Sequence, residues 1–252
     1  MSFIDDVVNA HVVEFSSNFY EKHKKSLKKS KKLNNVFYMG LDKQFMIHSM
    51  ISHSLDSALG FMFEDIAYTI AKENFDDVKK NVTGFISSDT IAYISKTLDS
   101  YHRKVSIPVI SDYKNYSECG DMFDASHISD LYIIDGDSHY LFEVKMSGEL
   151  DIKKARAEKE SLLKEFFILR SNNIKDITCY LAMTYNMFGT NEFKHSTILR
   201  YFSKEELLVG KPFWDFICKS STGYEDMLSS YNKNAYLINE TIKKLGEELL
   251  NG

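Results

Sequence analysis

Asp130, Glu143 and Lys145 carry charge in the stretch DLYIIDGDSHYLFEVKM, residues 130–146, where the surrounding residues are mostly apolar. Two apolar runs flank Asp-Gly-Asp-Ser, the pattern of a β-hairpin. In Glu143-Val144-Lys145 the charged residues are two apart, so on a strand they share one face and Val144 takes the other. A two-residue loop at Gly136-Asp137 pairs Asp135 with Ser138. It then sets Asp130 directly opposite Glu143, with Cβ atoms ~4.5–5.5 Å apart. A loop at Asp135-Gly136 brings residue 128 there instead and weakens the argument. Two carboxylates that close repel unless a cation or a proton lies between them. A divalent metal with a lysine beside it is the natural occupant.

An acidic residue two before a lysine is common here: Asp77-Lys79, Asp112-Lys114, Glu143-Lys145, Asp151-Lys153 and Glu192-Lys194. Only Glu143-Lys145 ends an apolar strand with another carboxylate placed across a hairpin. Glu and Lys are costly to bury in such a run without purpose. Other chemistries lack their patterns: no GxxxxGK[ST] or GxGxxG loop, no HExxH, no GxSxG elbow and no CxxC pair. His48 and His53 are five apart, a poor match for one helical face.

Several elements must hold this hairpin. Residues 3–33 read as helix, with Ile4, Val7, Val8, Val12, Phe15 and Phe19 near helical spacing. Seven lysines follow between Lys22 and Lys32, and Asn34-Asn35 ends the run. Residues 44–73 give the clearest helix, with a broad stripe from Ile51 to Ile70. A second face carries Gly60, Glu64, Ala67 and Ala71, small enough for close approach, with Glu64 its one charge. A lone helical glutamate is more often a surface residue; here it could aim at the metal site. Residues 76–99 show a weak helical pattern with a turn near Gly84, 105–110 and 193–202 look strand-like, and 113–126 look like a loop. Asp151 can cap a helix over 152–171 whose first turn is basic, against the helix dipole, which hints at a compensating anion. Residues 177–183 suit a buried strand, 213–218 helical packing and 224–250 a closing helix. This order predicts an α/β fold with a mixed central β-sheet flanked by helices, and additional N- and C-terminal helices.

The 252 residues can bury one substantial core, and two prolines and eleven glycines leave little for linkers. The expectation is a single domain over 1–252: an N-terminal helical extension to 43, a catalytic core over 44–202 and a C-terminal helical region from 203. No apolar run approaches a membrane span, and the acidic N-terminus lacks a signal-peptide n-region. Three scattered cysteines and no leader make a reducing cytoplasm the default. A net charge of −5 counts against a wholly nucleic-acid-coated surface, though not against a local basic groove.

With Asp130, Glu143 and Lys145 in place, the sequence resembles the PD-(D/E)XK nuclease superfamily. Ser129 stands where that pattern usually has proline, and Glu64 where the fold often carries an extra acid on its first core helix. HSLDSALGFMFEDIA (53–67), LFEVKMS (141–147), LAMTYNMFG (181–189), VGKPFWDFI (209–217) and Gly223-Tyr224 narrow the resemblance. Together they look like the TdeIII-like family of type II restriction endonucleases. Two departures are Tyr185-Asn186-Met187 for that family's YNP and Met146-Ser147 after the catalytic strand.

The resemblance implies a restriction-endonuclease-like core and Mg²⁺-dependent double-strand cleavage of DNA at a short palindrome, GC-rich and GGNCC-like. It also implies a homodimer partnered genetically by a DNA methyltransferase. Asp130, Glu143 and the Val144 carbonyl are then metal ligands, Lys145 acts at the water and the phosphate, and Glu64 serves a second or hydrated metal. Base and phosphate contacts fall to Lys153, Lys154, Arg156, Asn186, Lys194, His195 and Arg200. The alternatives are another nuclease on the same core, serving repair or recombination, and a DNA-binding module without cleavage.

Overall fold

A computed structural model describes residues 2–28 and 40–251, with side chains from 2–25 and 40–251. Lys29, Lys31, Lys32, the Asn34-Asn35 stop, the end of the expected first helix and residues 36–39 lie outside the described residues. The elements are α1 (Phe3–Lys28), α2 (Lys43–Asn74), β1 (Asp77–Ser87), α3 (Ser88–His102), α4 (Ile110–Lys114), β2 (Met122–Asp135) and β3 (Ser138–Lys145). They continue with α5 (Ile152–Ser171), β4 (Ile177–Met183), a 3-10 turn (Lys204–Glu206), β5 (Leu207–Val209), α6 (Lys211–Ile217) and α7 (Gly223–Asn251). The chain forms two compact units, one of residues 1–69 with 225–252 and one of residues 70–224.

The first unit is helical. Val7, Val8, Val12, Phe15 and Phe19 of α1, Met50, Ile51, Met62 and Ile66 of α2, and Ile238 and Leu245 of α7 are buried. Polar links fasten the helices: Lys24 to Glu248 at 3.5 Å, His11 to Thr69 at 3.0 Å, and Lys43 Nζ donating to the Leu250 carbonyl at 3.0 Å. A Cβ at Gly60 would meet nothing within 4 Å, so the expected close-packing face of α2 is not crowded there.

The second unit is a five-stranded sheet in the order β1-β2-β3-β4-β5. The first three strands are antiparallel; β3, β4 and β5 are parallel. A parallel neighbour needs a crossover, and α5 supplies it between β3 and β4. Its residues Ala155, Leu162, Phe166 and Leu169 pack into one core with Leu141, Cys179, Leu181, Val82 and Ile94. Phe142 meets Phe213 and Phe216 of α6, and Trp214 donates to the Thr184 carbonyl at 2.8 Å. Both helices and β4 therefore brace the strand that carries the charged pair.

Four stretches are corrected. Of the expected loop over 113–126, residues 113–114 end α4 and 122–126 open β2, paired with β1. Residues 76–99 form a strand and then a helix. Phe75, Val78, Val82 and Ile86 recur three to four apart, which imitates helical spacing, but the last three are buried apolar positions on one face of a strand. Gly84 is no turn: a Cβ there would lie 2.5 Å from the Ile168 carbonyl of α5, so it allows β1 to approach the helix. Residues 105–109 form a loop and Ile110 starts α4. Residues 193–202 make successive tight turns, with bonds such as Leu199 N–H to His195 O at 3.0 Å and Tyr201 N–H to Ile198 O at 2.9 Å. The hairpin, the helix over 152–171 and the strand over 177–183 stand as expected. The anion that the basic start of α5 calls for is Asp151, whose carboxylate accepts from the Lys153 and Lys154 N–H groups at 2.8 and 2.9 Å.

Candidate active site

The β2–β3 ladder pairs Asp135 with Ser138 and runs on to Leu131 opposite Phe142. The loop is therefore Gly136-Asp137, and Gly136 takes φ +60°, as the first loop position of a type II′ hairpin requires. Asp130 and Glu143 stand one step past the last ladder pair. Regular pairing stops there because a side chain takes the bond: Val144 N–H donates to Asp130 Oδ2 at 2.8 Å. That bond fixes Asp130 against the strand carrying Glu143.

Lys145 fills the space between the two carboxylates. Its Nζ donates to Glu143 Oε1 at 2.5 Å and to Asp130 Oδ2 at 3.4 Å. A third carboxylate, Glu158 of α5, has Oε1 at 3.6 Å from the same nitrogen. The strand end is held as well: Thr184 N–H donates to the Lys145 carbonyl at 3.0 Å and its hydroxyl to the Met146 carbonyl at 2.8 Å.

Electrostatics follow from this crowding. Burial pushes the Glu143 carboxyl up; Lys145 opposes that, while Asp130 and a hydrogen bond to Glu158 push it further, well above the usual carboxylate range. Burial would pull Lys145 down, but attraction to Glu143, Asp130 and Glu158 outweighs it and holds the ammonium above its usual value. Once Glu143 gives up its proton, three carboxylates less one ammonium carry a formal charge of −2. A divalent cation balances that charge, and an all-oxygen donor set suits a hard one. Among the described residues no three His, Cys, Asp or Glu side chains form a ready metal cage. The Lys145 ammonium stands as the cation on which the carboxylates converge. The donor chemistry fits the metal; the lysine must share the space with it.

A second buried polar group lies beside this cluster. Glu165 of α5 is fully buried and binds His127 Nδ1 at 2.8 Å. That bond, against the pull of partial burial, raises the His127 pKa, while burial raises Glu165. Ser129 Oγ and Glu165 Oε2 are both buried, and the Ser129 hydroxyl, like His127, works against the rise in Glu165. Sequence reasoning passed over Glu158 and Glu165. The available signal was their place on the stripe Ala155, Glu158, Leu162, Glu165, Leu169, where apolar residues belong.

The remaining expected site residues scatter. Glu64 is half-buried in α2, in the helical unit. Lys153 and Lys154 are exposed at the start of α5. Arg156 pairs with Asp99 at 2.8 Å. Asn186 spends both amide ends locally, donating to the Asn191 carbonyl at 2.8 Å and accepting from Phe188 N–H at 3.0 Å. Lys194 lies 3.5 Å from Glu192, His195 stacks on Phe193, and Arg200 is half-buried.

A mixed sheet flanked by helices, with an acid–acid–lysine set at the end of its central hairpin, has the form of a restriction-endonuclease-like fold. Residues 2–235 match the family model described as "Type II restriction endonuclease, HinfI". The chain belongs to that HinfI family of type II restriction endonucleases, and so to the site-specific deoxyribonucleases. The match does not carry the narrower TdeIII-like resemblance. No curated protein and no solved structure matches the chain. Among the described residues no helix is long and apolar enough to cross a membrane.

Proposed function

We propose that this chain makes divalent-metal-dependent double-strand cuts at a short palindromic DNA site, with Mg²⁺ as the working ion, and that all 252 residues serve one endonuclease activity. The observation that carries the reading is the convergence of Asp130, Glu143 and Glu158 on Lys145 Nζ. Asp130, Glu143, Glu158 and the Val144 carbonyl would hold the cation. Bound there, it supplies a polarised phosphate and a water of lowered pKa.

The chain's own groups do the rest. The Val144 N–H keeps Asp130 aimed inward, and the burial of Glu143 keeps bulk water from screening the site. Lys145, kept protonated by its neighbours, orients the attacking water and offsets charge developing on the phosphate. Lys153 and Lys154, exposed at the start of the same helix, supply phosphate contacts. A palindromic target is matched by a two-fold homodimer, and a cognate methyltransferase would protect the host's own sites. The GGNCC-like target rests on the TdeIII-like resemblance, and the bacterial cytoplasm is the compartment such a system implies.

The test is substitution. Asp130→Ala or Lys145→Ala should abolish plasmid cleavage in Mg²⁺ while duplex binding in Ca²⁺ persists. Full cleavage by either variant overturns the assignment.

A further inference from the structure

The loop between α3 and α4 is the most apolar exposed tip in the sheet unit. Val105 and Ile107 are 78% and 77% exposed, and Val109 is exposed beside them. Arg103 and Lys104 precede these residues, and no carboxylate occurs from 103 to 110. The tip is firmly built. Val105 N–H donates to the Ser100 carbonyl at 2.9 Å, and the Ser100 and Ser106 hydroxyls lie 2.6 Å apart. Pro108 restricts Ile107 to extended backbone. Lys104 takes φ +59°, where glycine or asparagine sits at less cost. That conformation belongs to the stop of α3, where Lys104 N–H donates to the Tyr101 carbonyl at 3.1 Å beside the Val105 bond, and it leaves the Lys104 side chain exposed.

The loop is also tied to the cluster. Asp99, in the last turn of α3, holds Arg156 at 2.8 Å, and Arg156 is two residues from Glu158 on α5. These links join the root of the loop to the helix that carries Glu158.

We infer that residues 103–109 dock on the DNA substrate, with Val105 and Ile107 as an apolar wedge in the minor groove and Arg103 and Lys104 on the flanking phosphates. The inference rests on the reading of the chain as a DNA endonuclease. A bare apolar tip would suit a second protein copy equally well; two cations without a carboxylate favour a polyanion. Minor-groove proteins combine the same two parts, basic side chains and an apolar wedge.

The experiment compares three full-length proteins: wild type, Val105→Ser/Ile107→Ser and Lys104→Gly. Binding to linearised plasmid is measured by filter retention in Ca²⁺, cleavage in Mg²⁺, melting by calorimetry and mass by sedimentation. The double variant should bind on the order of tenfold more weakly and need correspondingly more DNA for half-maximal cleavage. Lys104→Gly should melt at the same or higher temperature, because glycine accepts the left-handed backbone. It should still lose affinity, and its salt slope should fall by about one. A structural role alone cannot produce that opposition.

Unchanged duplex binding by both variants overturns the inference while wild-type cleavage keeps the nuclease reading intact. A double variant that loses self-association and keeps its DNA affinity assigns the tip to a second copy and equally overturns it. A wild type that retains no duplex removes the wedge, and absent cleavage then removes the nuclease reading separately.

Discussion

Glu143 sits between Lys145 and two further carboxylates, and its raised pKa makes stability depend on pH in a definite direction. Its carboxyl keeps its proton more tightly in the folded chain than in the unfolded one. Between the ordinary carboxylate value and the raised one, the unfolded state binds fewer protons, so metal-free stability falls as pH rises. Glu143→Gln removes that contribution, with Asp130 and Glu158 remaining as counterions for Lys145. Urea unfolding at about pH 5 and about pH 8 should show a larger loss in the wild type than in the variant, which keeps the contributions of His127 and Glu165. The third carboxylate can be assigned the same way. Glu158→Gln should lower kcat/KM by about a hundredfold, the scale of disturbing one group that holds or orients a catalytic metal. A loss that falls on Glu64→Gln and spares Glu158→Gln would return the role to the helix residue that the sequence pattern named. Asp130, Glu143 and Lys145 were legible because strand period and hairpin register are local rules. Glu158 and Glu165 reach the sheet only once α5 has crossed it, and no local rule states that packing.

At the level of elements, α5 is fixed by burial of opposite charges. Lys159 and Glu206 are both almost wholly buried and paired. Tyr113 OH donates to Glu206 Oε1 at 2.9 Å, and the Lys159 ammonium lies 4.8 Å from the Tyr113 ring centroid and 5.1 Å from that of Phe202. One ion pair thus joins α5, α4 and the turn before β5. Removing one partner strands a buried charge, so Glu206→Gln should cost about 3–5 kcal/mol in chemical denaturation. A cost under ~1 kcal/mol would mean that water reaches the pair. Elements with a clean period, such as the helix over 152–171 and the strand over 177–183, were legible in sequence. β1 was not, because its buried apolar residues Val78, Val82 and Ile86 fall four apart, a spacing that one face of a strand and one face of a helix share. Nor were residues 193–202, where apolar side chains sit on consecutive turns that no period describes.

At the scale of the molecule, the family match from residue 2 to 235 takes in all of the sheet unit and most of the helical one. The fold class was legible from the order of its elements; the division into two units was not, because no linker composition marks it. The net charge of −5 means that DNA must be held by local clusters of cations. Duplex affinity should therefore fall steeply between about 50 and 200 mM salt. Sedimentation of the free protein should give a dimer; a monomer that still makes double-strand cuts would remove the two-fold reading. The central claim is that the Lys145 cluster cuts DNA at one sequence. The most direct test is digestion of a plasmid in Mg²⁺ by wild type and by Lys145→Ala, with run-off sequencing of the ends. The account predicts discrete fragments sharing one short palindromic end sequence from the wild type and intact plasmid from the variant. Unbroken plasmid with both proteins, or the same fragments at the same rate from both, would contradict it.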